Sequence, residues 1–173
     1  METTAIKLSE SGKKHFEKGD FETAIQSFSD AAKIYTEEEN FLDAAEAKNN
    51  LSVALLQADR AKESLEAATG TDLVFAEAKD LLRQAMALGN LAAAMDALGE
   101  TDKALENYTK SAALFGEVGE GDLEATVLKS IASIKLRNGK LQDSAYTMLD
   151  SLGATQKTNL FQRFLKFILR IIR

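Results

Sequence analysis

This chain of 173 residues has no cysteine, no proline and no tryptophan, and it has a single histidine. Without cysteine, disulfides, thiolate metal sites and thiol catalysis are excluded. One histidine, His15, leaves little basis for metal or general-base chemistry. The sequence contains no stretch of about 18 consecutive apolar residues, which a transmembrane helix requires, and its first residues lack the apolar run of a signal peptide. We therefore expect a cytoplasmic protein that is not an enzyme and needs no cofactor.

Charge is distributed unevenly along the chain. The formal net charge is −6, from 21 basic and 27 acidic residues. Residues 153–173 contain five basic residues and no acid, so the remainder holds 16 basic and 27 acidic residues and carries a net charge of −11. Nucleic-acid binding needs Lys and Arg clustered on one face. The acidic body therefore predicts that no nucleic acid is a partner.

Apolar residues recur at helical spacing almost throughout, which predicts an all-α protein. Four polar or glycine-bearing breaks in this pattern lie 40 residues apart: Gly19, Asp59, Gly99 and Gly139. A column of alanines keeps the same register: Ala5, Ala45, Ala85 and Ala125. A fixed period of this length is typical of stacked helical repeats, because a single helix pair cannot bury both of its apolar faces.

These columns resemble the tetratricopeptide repeat (TPR) family, in which small residues lie where two helices cross and a glycine lies at the turn. Units one and three match best, at Gly12, Gly19, Phe21, Ala24, Phe28 and Ala31, and at Leu88, Leu91, Ala92, Gly99, Ala104 and Tyr108. Only small residues let two helices approach to about 8–10 Å, so we expect Ala24 and Ala104 to be structural. The period of 40 exceeds the family's usual value of about 34 and is of the kind seen in kinesin light chains.

The resemblance covers about residues 1–152 and implies an α-solenoid of about four two-helix repeats. The predicted units are at about 1–40, 41–80, 81–120 and 121–152, and a basic amphipathic C-terminal helix is predicted in 153–173. Unit two departs from the pattern, because Gly70, followed by the cap-like Thr71 and Asp72, interrupts its second helix. A new helix that began there and ran to residue 98 would be shared by units two and three. Such a helix would allow a hinge or a domain-swapped dimer.

Three further motifs have structural interpretations. The carboxylate cluster at 37–39 lies at a predicted helix end with no other metal ligand nearby in sequence, so we expect a solvated run. The stretch GEVGEGD at 116–122 matches neither the dinucleotide-binding nor the P-loop pattern and predicts a turn between repeats. His15 falls at a core position of the family, so we expect it to be packed inside the protein.

The first helix of each unit should line a concave face, where proteins of this family usually hold a partner peptide. By the family's spacing, the candidate groove residues are Lys13, Asn49, Asn50, Val53, Met86, Asn90, Ala93 and Lys129. Asn50 and Asn90 are equivalent, and in kinesin light chains asparagines at such a position hydrogen-bond a peptide backbone, since an amide both donates and accepts. A structural role for these asparagines is the alternative. The resemblance thus implies a non-catalytic scaffold or adaptor for a protein or peptide partner.

The C-terminal stretch NLFQRFLKFILRIIR, residues 159–173, is strongly amphipathic as a helix. Its 15 residues would span about 22 Å, too short to cross a hydrocarbon core of about 30 Å. Three surfaces remain open for it: the end of the repeat array, an anionic membrane surface, or another protein, including a second copy of this chain. The predicted membrane or oligomer contacts are Phe161, Arg163, Phe164, Lys166, Phe167, Ile168, Arg170 and Ile171.

Overall fold

The computed structural model of this protein describes residues 4–154. These residues form nine α-helices: α1 (Thr4–Glu17), α2 (Phe21–Glu37), α3 (Phe41–Gln57), α4 (Ala61–Ala68), α5 (Thr71–Glu77), α6 (Leu81–Ala97), α7 (Thr101–Val118), α8 (Gly121–Arg137) and α9 (Leu141–Ala154). We term α1, α3, α6 and α8 the first helices, and α2, α4 with α5, α7 and α9 the second helices. Among residues 4–154, each second helix packs against the first helix before it, and all of them except α9 also pack against the first helix after it. The prediction of an all-α protein is confirmed.

A left-handed residue ends a helix every 20 residues along the described chain. These residues have φ between 58° and 79° and are Gly19, Glu39, Asp59, Lys79, Gly99, Gly119 and Gly139. The N–H of the next residue bonds to the carbonyl five positions earlier, as from Asn40 to Tyr35 at 2.8 Å and from Asp80 to Phe75 at 2.9 Å, which satisfies carbonyls at the helix end. The same next residue is the N-cap of the following helix. Each turn is therefore very short, and the 40-residue period consists of two 20-residue steps.

Replacing Glu39, Asp59 or Lys79 by glycine is expected to stabilise the protein. A side chain on a left-handed residue costs roughly 1–2 kcal/mol, and the greater freedom of glycine in the unfolded chain offsets part of the gain. We expect an increase of about 0.5–1 kcal/mol in the free energy of unfolding for each change, measured by urea denaturation. Gly99→Ala makes the reverse change at an equivalent turn and should cost about 1 kcal/mol. Destabilised glycine variants would contradict this backbone geometry.

Unit two has a divided second helix, as its sequence suggests. Gly70, with φ of 82°, separates α4 from α5, and α5 begins at Thr71 as predicted. The sequence left open whether this helix continues to residue 98, and the structure shows that it does not. It ends at Glu77, Lys79 is left-handed, and Asp80 caps α6 by accepting the backbone N–H of Arg83 at 2.9 Å. Units two and three therefore share no long helix, and such a helix cannot serve as a hinge or as the element exchanged in a domain-swapped dimer.

Small residues dominate the crossings between first and second helices. Ala24, Ala92 and Ala104 are completely buried, and their size allows the helices to approach closely. The prediction that Ala24 and Ala104 are structural is confirmed. Buried serines on the second helices donate to first-helix carbonyls at 2.7–2.8 Å, namely Ser64 to Ser52, Ser111 to Ala85 and Ser144 to Ala132. Helix crossings are therefore held by close packing and by hydrogen bonds that satisfy buried hydroxyls.

The prediction that His15 is packed in the core is wrong. Its side chain is 33% exposed in the last turn of α1, where Nδ1 lies 2.8 Å from Oδ2 of Asp20. Asp20 also caps α2 by accepting the N–H of Thr23. Hydrogen bonds from Thr23 and His15 lower the pKa of the Asp20 carboxyl. His15 supports the turn after α1, because the chain leaves the helix only two residues beyond it.

The other two motifs lie where they were predicted. Glu37, Glu38 and Glu39 are all exposed at the end of α2. The stretch GEVGEGD contains the turn between α7 and α8, at Gly119 and Glu120, together with the adjoining ends of both helices. Among residues 4–154, no cluster of three or more metal-ligating side chains is placed to hold a metal ion.

Candidate functional site

Polar side chains connect neighbouring first helices on one surface. Nζ of Lys13 in α1 lies 3.4 Å from Oε1 of Glu46 in α3, and Oε2 of Glu46 lies 3.4 Å from Nη1 of Arg83 in α6. Nη2 of Arg137 in α8 donates to Oδ1 of Asp96 in α6. Exposed ion pairs of this kind contribute little stability individually, but they order the side chains of this surface. We term the surface formed by α1, α3, α6 and α8 the first-helix face.

Two asparagines of the predicted groove bond to each other. Nδ2 of Asn90 donates to Oδ1 of Asn49 at 3.0 Å, and Asn49 is only 6% exposed. The amide pair thus joins α3 to α6 across the boundary between units two and three. Asn50, the residue equivalent to Asn90 in the repeat, is half-buried and lies outside this pair. The two equivalent asparagines therefore have different surroundings.

Two adjoining cavities lie between α1 and α3. The first has a volume of about 190 Å³ and is lined by Lys13, Phe16, Glu17, Phe28, Asn50 and Val53. The second has a volume of about 180 Å³, and its lining includes Ile6, Glu10, Lys13, Glu46 and Asn50. Lys13 and Asn50 line both cavities. The structure therefore brings together Lys13, Asn50 and Val53 of the predicted groove residues.

The remaining groove candidates lie further along the array. Met86 is 45% exposed on α6, and Lys129 is exposed on α8. Ala93 is half-buried and packs against the core formed by α6, α7 and α8. None of the three lines the cavities between α1 and α3. The predicted residues therefore lie in a row along the first helices, and the two cavities lie at the α1–α3 end of this row.

Arg83 is held in place from three sides. Its Nε donates to Oδ2 of Asp80 at 2.7 Å, its Nη1 reaches Glu46, and its guanidinium lies 5.1 Å from the ring centre of Phe75. The hydrogen bond to Asp80 raises the pKa of Arg83. The pKa of the Asp80 carboxyl is lowered, first by the backbone N–H of Arg83 and then by its side chain. Asp80 therefore links the cap of α6 to the charge network of the first-helix face.

Asp80→Ala is expected to lower the free energy of unfolding at pH 7 by about 1 kcal/mol, because the cap of α6 is lost. Since folding lowers the pKa of Asp80, the contribution of its charge is present above the unfolded value of about 3.9 and is lost as the pH falls through the folded value. The difference between wild type and Asp80→Ala should therefore shrink below about pH 4. Urea denaturation between pH 2 and 7 measures this. Asp80→Asn keeps a capping oxygen without the charge. If Asp80→Asn lowered the free energy of unfolding as much as Asp80→Ala does, the capping role would be contradicted.

Sequence reasoning missed the charged residues that link the first helices. Glu46, Arg83 and Arg137 were not among the predicted groove residues, yet each joins two helices, and Asp96, a further groove candidate in unit three, is the partner of Arg137. One signal was present. Asp96 and Arg137 are 41 residues apart and carry opposite charges, and the bonded Asn49 and Asn90 have the same separation. Complementary polar residues spaced one repeat plus one residue apart would have indicated these two contacts. The partners of Glu46 are 33 and 37 residues away and do not follow this spacing.

A larger cavity, of about 610 Å³, opens among α2, α3 and α4 on the second-helix side. Its lining combines apolar residues, among them Leu51 and Leu55, with charges of both signs, among them Lys48 and Glu66. It lies where α4 ends after eight residues, while the neighbouring α2 continues for 17. The break at Gly70 thus leaves a gap among the second helices of unit two and does not interrupt the first-helix face.

The contacts predicted for the C-terminal segment lie outside the described residues. They are Phe161, Arg163, Phe164, Lys166, Phe167, Ile168, Arg170 and Ile171. Within residues 4–154, none of the helices has the length and apolar character needed to cross a membrane.

Residues 2–135 match the model of the family described as soluble NSF attachment protein, SNAP. The chain belongs to the soluble NSF attachment protein family. This match spans the helices from α1 to almost the end of α8, and so it includes every groove candidate. Residue patterns indicated the TPR type of repeat, which is confirmed, but did not indicate the SNAP family.

Solved structures similar to this SNAP-family chain have TPR-type folds. The nearly identical TPR-like repeats of a Podosopora anserina protein described as a kinesin light chain align over 98% of this chain and 86% of that one, with 14% identity and a TM-score of 0.76. BtubC (BKLC) from P. vanneervenii aligns over 90% of this chain and 63% of that one, with 17% identity and a TM-score of 0.71. At these identities the likeness concerns the fold, and it confirms the predicted α-solenoid. No curated protein sequence matches this SNAP-family chain.

Proposed function

We propose that this protein is a non-catalytic scaffold that holds an extended segment of a partner protein on the first-helix face. The site would be the pair of cavities between α1 and α3. One observation carries the proposal: Lys13 and Asn50 line both cavities, so a single extended ligand can contact the same two side chains while it occupies both spaces. Concave sites with an apolar lining and a few polar groups are typical of ligand binding.

The lining suits a peptide. The amide of Asn50 can donate to a backbone carbonyl and accept from a backbone N–H. Phe16 and Val53 offer apolar contacts, and Lys13 and Glu46 place opposite charges at the rim. The proposed site therefore matches the backbone, an apolar side chain and a charged side chain of an extended segment.

The other groove residues have two proposed roles. Asn49 and Asn90 bond to each other, so we assign them to the spacing between α3 and α6. Met86, Ala93 and Lys129 would extend the contact along α6 and α8. A partner longer than the two cavities would therefore continue over the later units.

Family membership supports a partner-holding role. The family is named for attachment to NSF, and this chain has the repeat fold of TPR-type proteins. Such families generally bind protein partners and are generally non-catalytic. These features favour a scaffold or adaptor over an enzyme.

Selection from a displayed peptide library, followed by fluorescence anisotropy with the selected peptides, tests the proposal. Val53→Arg introduces a long charged side chain into the cavity of about 190 Å³, and we expect affinity to fall at least about tenfold, as for central contacts of an interface. Ala113→Arg adds the same side chain at an exposed position on α7 and should bind like wild type. Peptides whose affinity is unchanged by Val53→Arg, or a library that yields no binder, would contradict the proposed site.

A further inference from the structure

The described chain ends beside the start of α8. The carbonyl oxygen of Ala154, the last residue of α9, lies against Gly121, where an added Cβ would collide with it. The first helices that follow a second helix begin at this edge of the array. The chain therefore leaves α9 at the place where a further first helix would begin.

One side of α9 is equivalent, by the 40-residue repeat, to a surface of α7 that is covered by neighbouring helices. The helix α7 lies between α6 and α8, and its Leu105 and Ala112 pack in the core that includes residues of α8. Within residues 4–154, the principal packing partner of α9 is α8. Forty residues after Leu105 and Ala112 are Ala145 and Leu152, which are also apolar. The residues of α9 at these positions thus match a surface on which a next first helix packs.

The sequence from 159 to 173 continues the register of α8. Three residues of α8 that pack in the core have apolar counterparts 40 residues later: Val127 with Phe167, Leu128 with Ile168, and Ile131 with Ile171. Four exposed or half-exposed residues of α8 have basic counterparts: Leu123 with Arg163, Thr126 with Lys166, Ser130 with Arg170, and Ser133 with Arg173. The residue 40 after Gly119 is Asn159, and asparagine is enriched in the left-handed conformation.

Charge at this edge complements the segment. Glu117, Glu120, Asp122 and Glu124 surround the turn between α7 and α8, and the stretch 115–125 contains no basic residue. The last 21 residues of the sequence carry five basic residues and no acid. A segment that docks beside this turn brings opposite charges together, which favours its association.

We infer that residues 159–173 form the first helix of a fifth unit, which packs on α9 through Phe167 and Ile171. Its basic side then joins the first-helix face, with Arg170 beside Lys129. In this arrangement α9 covers one side of the segment, as α7 covers one side of α8.

Cysteine crosslinking in the full chain, which has no native cysteine, tests the inference. Side chains of Asn49 and Asn90, 41 residues apart, are 3.0 Å from each other, so Lys129 and Arg170 should be similarly close. A short bis-maleimide should join Lys129→Cys to Arg170→Cys at least about tenfold faster than Lys129→Cys to Gln162→Cys. Gln162 is also polar, but it lies about 12 Å away along the helix. Asp96→Cys with Arg137→Cys, another bonded pair 41 residues apart and more exposed than Asn49, is the positive control.

The expected product has the mass of one chain. Equal rates for the two Lys129 pairs would overturn the inference, and so would a product with the mass of two chains, which would assign the segment to a second copy. Sedimentation with phosphatidylserine vesicles gives an independent readout. A docked segment leaves the protein in the supernatant. The protein could instead pellet with the vesicles in a salt-sensitive way, with slower crosslinking between positions 129 and 170. That result would assign the segment to a membrane surface.

Discussion

Phe75→Ala is expected to lower the free energy of unfolding by about 3–5 kcal/mol. Phe75 has no exposed surface and lies in a cluster with Ala45 of α3 and Ala87 of α6. It therefore joins three helices at the break in unit two, and its ring also lies against the guanidinium of Arg83. Truncation loses the burial of the ring and leaves a cavity among small neighbours that cannot fill it. Urea denaturation followed by circular dichroism measures the loss.

Two matched variants serve as controls for Phe75→Ala. Phe75→Leu keeps most of the apolar volume and should cost less than about 1.5 kcal/mol. Leu73→Ala removes an apolar side chain from the same helix at a position that is 63% exposed, and it should change stability by less than about 0.5 kcal/mol. A cost for Phe75→Ala no greater than that for Leu73→Ala would contradict the packing of α5 between α3 and α6.

Gly12→Ala is expected to be destabilising although alanine is the better helix former. A Cβ on Gly12 would lie 2.6 Å from Cε1 of Phe28, and Phe28 is only 2% exposed, so its ring has little room to move. Overpacking typically costs about 1–3 kcal/mol, against a gain of about 1 kcal/mol in helix propensity. We expect a net loss of about 1–2 kcal/mol in the free energy of unfolding, measured by urea denaturation.

Gly116→Ala is the control for this substitution. Gly116 is exposed in α7, and a Cβ there would be in ordinary contact, at 3.4 Å, with the carboxylate of Glu124. The same chemical change should therefore stabilise the protein by about 0.5–1 kcal/mol. Equal effects at Gly12 and Gly116 would contradict the close crossing of α1 and α2. Since Phe28 also lines the cavity beside Asn50, Gly12→Ala should weaken peptides that bind there.

Two features that the sequence left open or predicted wrongly, the helix after Gly70 and the burial of His15, have local causes. Apolar periodicity continues from α5 into α6, so it suggested one helix through residue 98. The turn at Lys79 has no glycine to reveal it, and the capping role of Asp80 becomes visible only with the backbone. His15 matched a core position of the repeat, but α1 ends two residues later and leaves its ring at the turn. In each case the sequence pattern holds elsewhere in the chain, but a helix ends at this point and the pattern does not reveal that end.

The sequence by itself determined the all-α class, the repeat period and the buried alanines, because turns, caps and helical faces depend on residues close together in the chain. Only the tertiary structure decided which side chains meet. Asn90 bonds to Asn49 and not to its repeat equivalent Asn50, and Lys13 shares two cavities with Asn50. These contacts depend on how far one first helix is displaced along the next. That displacement is set by the packing of many side chains at the helix crossings, which the repeat pattern of single residues does not encode.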